Sequence, residues 1–410
     1  MSTRGVAIVL AALAESWSAG CYLSHTRENA DGGVSPRGDA GPATTDGGAD
    51  APTPRCCTRW SFDTRVAVEP YWEETVTPRL IRLADAPALV ATGPEDAVGP
   101  SGAHLIRWTR DLRTHEPPVA VTRGSFTWGQ PASAGDRFAV CWGTSPGNVA
   151  RVYDASGVPI TGQVTLDENV ASPCVASAAS VGQFAFAYLR REPATMRSSI
   201  RVRFVDVATG VVGPAFDSDL VVETQSASLA GTAEGFVMAV AGPLSTRLVM
   251  LDSGGRRHAD VTLGPSRRVS VAADEASIVL VRVIDRPIAG MRAQDVWIAQ
   301  AFDPATLERR SAEAEIATYE PVPSPEVSAT MSPCGETMLG TTAPALHAVV
   351  SLLDGPLVNQ YIPGERLLGP AVGDASVLVI DDDAYVAFSS TAPVAPSPRV
   401  QVDHWTCAAH

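Results

Sequence analysis

The feature that most constrains this chain is an aspartate that follows a short apolar segment and recurs about every 49 residues. The segment before each aspartate has the apolar or alternating character of a β-strand. The series comprises Asp111, Asp154, Asp206, Asp252, Asp303, Asp354 and Asp403. This period matches one four-stranded propeller blade and exceeds the period of most helical repeats. The spacing therefore predicts an all-β fold, a seven-bladed β-propeller of four-stranded antiparallel blades.

The second repeat shows the expected strand order most clearly. Asp136–Trp142 and Val149–Tyr153 are both strand-like, and Asp154 and Gly157 then occupy the first and last positions of a tight turn. An aspartate in such a position accepts hydrogen bonds from the amides of its own turn. We therefore expect the recurring aspartates to be structural, and we predict no metal site from them.

The two ends of the repeat region indicate how the ring closes. The last repeat provides Asp383–Phe388 and Arg399–Val402, and the chain ends at His410 without a further strand. A strand-like segment, Trp60–Val68, precedes the first complete repeat. Propellers remove their open sheet edge by such an exchange. We expect the N-terminal strand to complete the last blade.

The N-terminus is typical of an export signal. Residues 1–20 contain an apolar core, Val6–Leu13, followed by small residues that immediately precede Cys21. The pattern resembles a bacterial lipoprotein signal, which implies that Cys21 is lipidated; ordinary signal peptidase cleavage at the same small residues is the alternative. Residues 21–55 are rich in Gly, Pro and Asp and are predicted to be a disordered, lipid-anchored linker. The propeller is predicted to span residues 56–410.

Cysteine usage agrees with export. Besides Cys21 the chain has an even number of cysteines with no metal-binding spacing, so disulfides are favoured over buried free thiols. These residues are Cys56, Cys57, Cys141, Cys174, Cys334 and Cys407. Their positions favour a link from Cys56 or Cys57 to Cys407 across the ring closure, and a link between Cys141 and Cys174 in neighbouring repeats. Cys334 is left for the other member of the vicinal pair.

Charge and motifs exclude several functions. The chain has 45 acidic and 31 basic residues, a net charge of −14, which argues against nucleic acid as a partner. No stretch is apolar enough to cross a bilayer, so the membrane is expected to be contacted only through the lipid. We find no catalytic motif and predict no catalytic residue, no cofactor and no metal.

On these repeats and the signal, the chain resembles secreted bacterial β-propeller lipoproteins over residues 58–407. Two turns, Asp206–Gly210 and Asp303–Thr306, are also similar to those of quinoprotein-type propellers. Neither a quinone nor an assembly role is carried over from that similarity. The resemblance implies an exported protein, held at the outer membrane or cell surface by its lipid, or otherwise periplasmic or extracellular.

A ligand-binding face is expected where the loops between blades meet, because aromatic and arginine side chains anchor interfaces. The candidate residues are Tyr71, Trp72, Phe126, Trp128, Arg190, Arg191, Arg286, Arg292 and Tyr319. We expect a monomeric, non-enzymatic binding or scaffold module for a protein or glycan at the cell envelope. The alternative is a secreted carboxylate-dependent hydrolase or lyase with its site at the propeller channel.

Overall fold

The structure is a computed structural model. It describes residues 60–68, 78–94, 101–122, 127–144, 147–168, 173–191, 198–218, 220, 226–288, 293–319, 327–331, 336–341, 347–352, 357–362, 371–390 and 399–407. The chain divides into two units, Met1–Pro52 and Thr53–His410, and every described residue belongs to the second. The predicted signal peptide, Cys21 and the linker therefore lie outside the described residues.

The described secondary structure consists of β-strands. The first, β1, spans Trp60–Ala67. Blade 1 contains β2 (Arg79–Leu83), β3 (Ala86–Pro94), β4 (Ser101–Arg107) and β5 (Val119–Thr122). Blade 2 contains β6 (Thr127–Ala134), β7 (Arg137–Gly143), β8 (Asn148–Asp154) and β9 (Val164–Asp167). Blade 3 contains β10 (Cys174–Ser180), β11 (Gln183–Arg191), β12 (Ser198–Asp206) and β13 (Val212–Asp217).

The strands continue in the same order through the rest of the chain. Blade 4 contains β14 (Ala227–Gly231), β15 (Gly235–Val240), β16 (Thr246–Asp252) and β17 (Arg257–Leu263). Blade 5 contains β18 (Arg268–Ala273), β19 (Ile278–Arg286), β20 (Gln294–Phe302) and β21 (Ala314–Tyr319). Blade 6 contains β22 (Val327–Met331), β23 (Glu336–Thr341), β24 (His347–Leu352) and β25 (Leu357–Ile362). The last strands are β26 (Ala371–Ile380), β27 (Asp383–Ser390) and β28 (Arg399–Cys407).

Each blade is an antiparallel sheet whose strands pair in chain order, and the last three strands pair in the order β26, β27, β28 with β1 added outside β28. We call this four-stranded sheet the closing sheet. In its outer pair, Trp60 lies opposite Cys407 and Ala67 opposite Gln401. The N-terminal strand thus supplies the outermost strand of a sheet whose other strands come from the C-terminal end. This arrangement, with the first strand of every sheet lining a common axial channel, is a β-propeller.

The predicted number of seven blades has to be corrected: six blades are each formed by four consecutive strands, whereas β26–β28 form a sheet only together with β1. The error arises at Asp403, which lies within β28, not in a turn, and is ion-paired with Arg65. The aspartate series counts turns, and the closing sheet has no such turn because its outer strand comes from the other end of the chain. Asp354 lies outside the described residues.

The turn chemistry in the consecutive blades is confirmed. One carboxylate oxygen of Asp154 accepts hydrogen bonds from the amides of Ser156 and Val158, both at 2.9 Å. Asp206 accepts from the amide of Thr209 at 2.7 Å. Gly157 has a φ of +84°, a conformation that L side chains rarely adopt. The hydroxyl of Thr209, which donates to Asp206 at 2.7 Å, and the Thr209 amide stabilise the charged form and lower the pKa of Asp206.

The core lies between the faces of neighbouring blades. The second strand of a blade is apolar on both faces because it is covered on both sides, as the fully buried β15 shows. Aromatic rings pack between adjacent blades: the ring centroids of Phe204 in blade 3 and Phe236 in blade 4 are 5.5 Å apart. Outer strands such as β17 alternate between exposed and partly buried residues. No helix in the described part of the chain is long and apolar enough to span a membrane.

Candidate functional site

The axial channel is the main concave feature of the described residues. The innermost strands β2, β6, β10, β14, β18, β22 and β26 contribute its walls. An upper cavity of about 200 Å³ lies at the level of Arg79, Ser228 and Ser270. A lower cavity of about 290 Å³ continues toward the hairpin turns that follow these strands, and it is lined by smaller residues such as Ala179 and Ala273. We call the first of these the upper axial cavity.

Serine hydroxyls join the innermost strands around this channel. The Oγ of Ser228 accepts a hydrogen bond from the Val271 amide at 3.0 Å, from blade 4 to blade 5. The Oγ of Ser376 accepts from the Leu80 amide at 2.9 Å, from the closing sheet to blade 1. The other such contacts are Ser226 with the Val269 amide, Ser328 with the Val377 amide, and Ser177 donating to the Pro131 carbonyl. Innermost strands of different blades share no ladder hydrogen bonds, so these side chains supply contacts between them.

The serines also give the cavity a donor character. A hydroxyl that accepts an amide proton retains its own O–H proton for donation. Ser226 and Ser228 are in this state, and no acceptor for their protons is found in the part of the chain that the structure describes. Ser270 is only 4% exposed, lines the same cavity, and makes no side-chain hydrogen bond among the described residues. A hydroxyl that lines a cavity and has no protein partner is available to a ligand or to water.

Two arginines line the upper axial cavity together with these hydroxyls. Arg79 donates from Nε to the side-chain oxygen of Gln130 at 3.2 Å, and Arg268 begins β18, two residues before Ser270. Both arginines have further interactions within the protein. Within the described ranges, no carboxylate or histidine lines this cavity, and no group of three or more metal-binding side chains is found.

Most of the predicted ligand-binding aromatics cannot be placed. Tyr71, Trp72, Phe126 and Arg292 lie outside the described residues. Trp128 lies near the beginning of β6 and Tyr319 at the end of β21. For these two residues the structure describes only the position in the strand. Their role in binding stays a prediction.

The predicted arginines lie on the outer parts of the blades. Arg190, at the end of β11, is ion-paired with Asp217 at 3.2 Å. Arg286, at the end of β19, is ion-paired with Glu315 at 2.5 Å. Arg191 is exposed at the end of β11. None of the three lines the upper axial cavity, and the two ion pairs connect strands within single blades.

Sequence reasoning missed the serines. Their signal was present: a serine between small apolar residues recurs in the first strand of successive repeats, as in Ala176–Ala178, Ala227–Leu229, Val269–Val271 and Ala375–Val377. Serine is common in loops, so a lone serine in a strand draws little attention. Aligning the first strands with one another, instead of the turn aspartates, would have found the pattern.

One of the predicted disulfides is confirmed. Cys141 of β7 and Cys174 of β10 are bonded, with their Cα atoms 6.1 Å apart. Cys407 is also disulfide-bonded, and its partner is not among the described residues. The predicted cysteines Cys56, Cys57 and Cys334 lie outside those residues, so the predicted link between Cys407 and the start of the propeller stays a prediction.

The closing sheet carries a second polar cluster. The ring of His404 lies between two carboxylates, with Nδ1 3.0 Å from Asp63 and Nε2 3.1 Å from Asp383. Carboxylate oxygens only accept hydrogen bonds, so both ring nitrogens must carry protons in this geometry. Arg110 of the loop after β4 reaches the same cluster and is paired with Asp383 and Asp381. This contact links blade 1 to the closing sheet.

The protonation of this cluster follows from its contacts. Burial by itself lowers the pKa of His404, but hydrogen bonds to Asp383 and Asp63 outweigh it and raise that pKa above its usual value. Burial by itself raises the pKa of Asp383, but hydrogen bonds from His404 and Arg110 lower it overall. The stacked ring of Tyr385, 5.0 Å from His404, donates its hydroxyl to the Arg110 carbonyl. The cluster is therefore a set of ion pairs that joins β1, the loop after β4, and the strands β27 and β28.

Comparison with known proteins leaves this chain without a family. No protein-family model matches it, and no curated protein is similar enough to count as a relative. Among solved structures, the β-propeller domain of Cps50 (Swd1) from Myceliophteria thermophila is 11% identical with a TM-score of 0.49, over 84% of this chain and 98% of that chain. An α-L-arabinanase of Penicillium chrysogenum, complexed with arabinobiose, is 12% identical with a TM-score of 0.49, over 84% and 98%. A Dyadobacter fermentans protein of unknown function is 11% identical with a TM-score of 0.47, over 85% and 99%. These low-identity likenesses transfer no activity to this chain.

Proposed function

We propose that this protein is a non-enzymatic binding module of the bacterial cell envelope that captures a glycan at the mouth of its axial channel. The supporting observation is the upper axial cavity, whose described walls combine serine hydroxyls and arginines without a carboxylate or a histidine. Hydrolysis of a glycosidic bond by acid–base chemistry requires two carboxyl groups on either side of the bond. A wall of hydrogen-bond donors is suited to holding a ligand and not to cleaving it.

A glycan fits this cavity better than a protein partner. The cavity of about 200 Å³ is narrow and polar, which suits one sugar unit with its many oxygen acceptors. A protein partner requires a broad interface, typically about 800 Å² on each side. A protein partner is therefore an outcome that the binding experiment has to test. No observation on the described channel favours a hydrolase or a lyase.

Export and lipid anchoring through Cys21 are part of the proposal. The disulfide between Cys141 and Cys174 supports it, because disulfides persist in oxidising compartments outside the cytosol. Replacing Cys21→Ser is expected to move the protein from the membrane fraction of its host to the soluble fraction. Unchanged membrane association of this variant would contradict lipidation at Cys21.

The binding proposal is tested with the mature protein and immobilised envelope glycans. The expected result is retention of at least one glycan with no release of shorter sugars from it. Arg268→Ala, which changes the cavity wall, should abolish retention, whereas Arg256→Ala removes the same charge from an exposed turn between β16 and β17 and should not. Release of shorter sugars would indicate a hydrolase or lyase. Capture of a protein with no glycan retained would refute the glycan assignment.

A further inference from the structure

We infer that the upper axial cavity binds the acidic group of its ligand, a carboxylate or phosphate-type oxyanion. The inference rests on the proposed binding function and specifies the ligand class. The residues that carry it are Arg79, Arg268, Ser226, Ser228 and Ser270, all of which line this cavity. They share one property, which is that each has N–H or O–H groups to donate.

The hydrogen-bonding state of the serines points to an acceptor. The hydroxyl oxygens of Ser226 and Ser228 already accept amide protons at 3.1 Å and 3.0 Å, so a donation is what each still has to make. Ser270 is 4% exposed and has no side-chain hydrogen bond among the described residues. An oxygen-rich ligand in the cavity offers acceptors to these hydroxyl groups.

The arginines favour a charged acceptor over a neutral one. Arg268 and Ser270 are two residues apart on β18, a separation that places side chains on the same face of a strand. One oxyanion can therefore contact both residues at the cavity wall. Hydrogen bonds between ionised partners are shorter and roughly twice as strong as neutral ones.

The charge of the whole chain sharpens this argument. A net charge of −14 repels anions at long range, so an anion can be held only by short-range contacts with local positive groups. The upper axial cavity provides such groups in a partly enclosed space, where ion pairing is stronger than in bulk water. Binding is therefore expected to tighten as added salt first screens the long-range repulsion.

Glucuronate and glucose are a matched pair of probes, because they share a sugar ring and differ by a carboxylate in place of a hydroxymethyl group. Saturation-transfer NMR and calorimetric titration with the mature protein should show glucuronate bound at least tenfold more tightly than glucose. Inorganic phosphate tests whether an oxyanion is bound without a sugar ring. If phosphate competes with glucuronate, the oxyanion alone is sufficient for binding. If it does not compete, the sugar ring is also required. Both results support the site.

Two variants connect the binding to the named residues. Arg268→Gln should weaken glucuronate binding at least tenfold and leave glucose binding unchanged, with Arg256→Ala in an exposed turn as a charge-matched control that changes neither. Ser270→Ala should weaken glucuronate binding about threefold while leaving the thermal midpoint unchanged, since this hydroxyl makes no side-chain hydrogen bond among the described residues.

Equal affinity of the protein for glucose and glucuronate would overturn the inference while leaving the proposed glycan binding intact. Glucuronate affinity that is unchanged by both variants would place the acidic group elsewhere. If neither sugar binds and immobilised glycans are also not retained, the proposed function itself fails.

Discussion

The junction between blades 2 and 3 and the closing sheet hold the chain together by different means. The junction buries Cys141, Cys174, Phe184 and Phe186 in one apolar cluster, and a disulfide joins the two blades. The outer strands of the closing sheet are joined by Arg65 with Asp403 and by His404 with Asp63, pairs separated by 338 and 341 positions in sequence. The first region is apolar and covalent, whereas ion pairs contribute specificity in the second.

The difference follows from the position of each region in the chain. Blades 2 and 3 are consecutive, so their connection is short and apolar burial suffices to pack them. The strand β1 has to find β28 from the far end of the chain, and an apolar edge strand would pair with other chains as readily. Charged side chains on β1 fix its register and partner, because a slipped pairing separates Arg65 from Asp403.

The largest effect is expected for the disulfide. The double variant Cys141→Ala/Cys174→Ala should lower the free energy of unfolding by about 3 to 4 kcal/mol, since the bond closes a loop with a sequence separation of 33. Urea unfolding followed by tryptophan fluorescence measures the change. A loss below about 1 kcal/mol would show that the apolar cluster alone holds this junction.

A smaller loss is expected when the main ion pair of the closing sheet is broken. Arg65→Met should destabilise the fold by about 2 to 3 kcal/mol, because it leaves the carboxylate of Asp403, which is 1% exposed, without its bidentate partner. The partial exposure of Arg65 keeps the value at the low end for a buried pair.

Two variants serve as controls for this change in urea unfolding. Arg82→Met breaks an exposed pair with Asp85 and should cost less than about 1 kcal/mol. The double variant Arg65→Met/Asp403→Leu should recover part of the loss, because no buried charge then remains. Equal effects of Arg65→Met and Arg82→Met would mean that the ion pair does not secure the closure.

The smallest change in stability is expected when the pH is raised. The pKa of His404 is raised in the folded state, so its contribution to stability is fully present below the unfolded value near 6.5 and is lost as the pH rises through the folded value. The loss should be smaller than that caused by Arg65→Met, because a neutral imidazole can still donate one N–H to a carboxylate. Thermal unfolding measured from pH 6 to pH 9 should show the midpoint falling.

The matching control is His404→Gln, which removes the titrating group but retains a polar side chain. Its thermal midpoint should be lower at pH 6 and should lack the part of the pH dependence that His404 causes. The facing groups Asp63, Asp383, Tyr385 and Arg110 are unchanged in this variant. Parallel pH profiles for the two proteins would show that His404 does not link closure to protonation.

The parts of the fold that sequence predicted correctly depend on local chemistry. An aspartate with a glycine three or four residues later favours a tight turn, and Asp154 and Asp206 accept the expected amide hydrogen bonds. The missing strand of the last repeat similarly indicated an exchange with the segment Trp60–Val68, of which Trp60–Ala67 forms the strand. The series failed at Asp403 because the same residue type can serve in a turn or in a buried ion pair, and one sequence does not distinguish them.

The candidate site depended on information that sequence does not contain. Aromatic and arginine residues were selected by type, yet Arg190 and Arg286 are engaged in ion pairs within their blades. The serines of the channel gain their role from lying side by side on strands from different blades. Such neighbours are far apart in the chain, so no local pattern brings them together.

The sequence by itself determined the repeat length, the β-class, the turns and the cysteines available for disulfides, because each depends on residue chemistry and spacing along the chain. Only the tertiary structure decided which charges pair across the closure and which hydroxyls face the axis. Asp403 became a partner of Arg65, and Ser270 became a buried donor, through contacts between segments that are distant in the chain. Strand pairing and the packing of blades around one axis create these contacts.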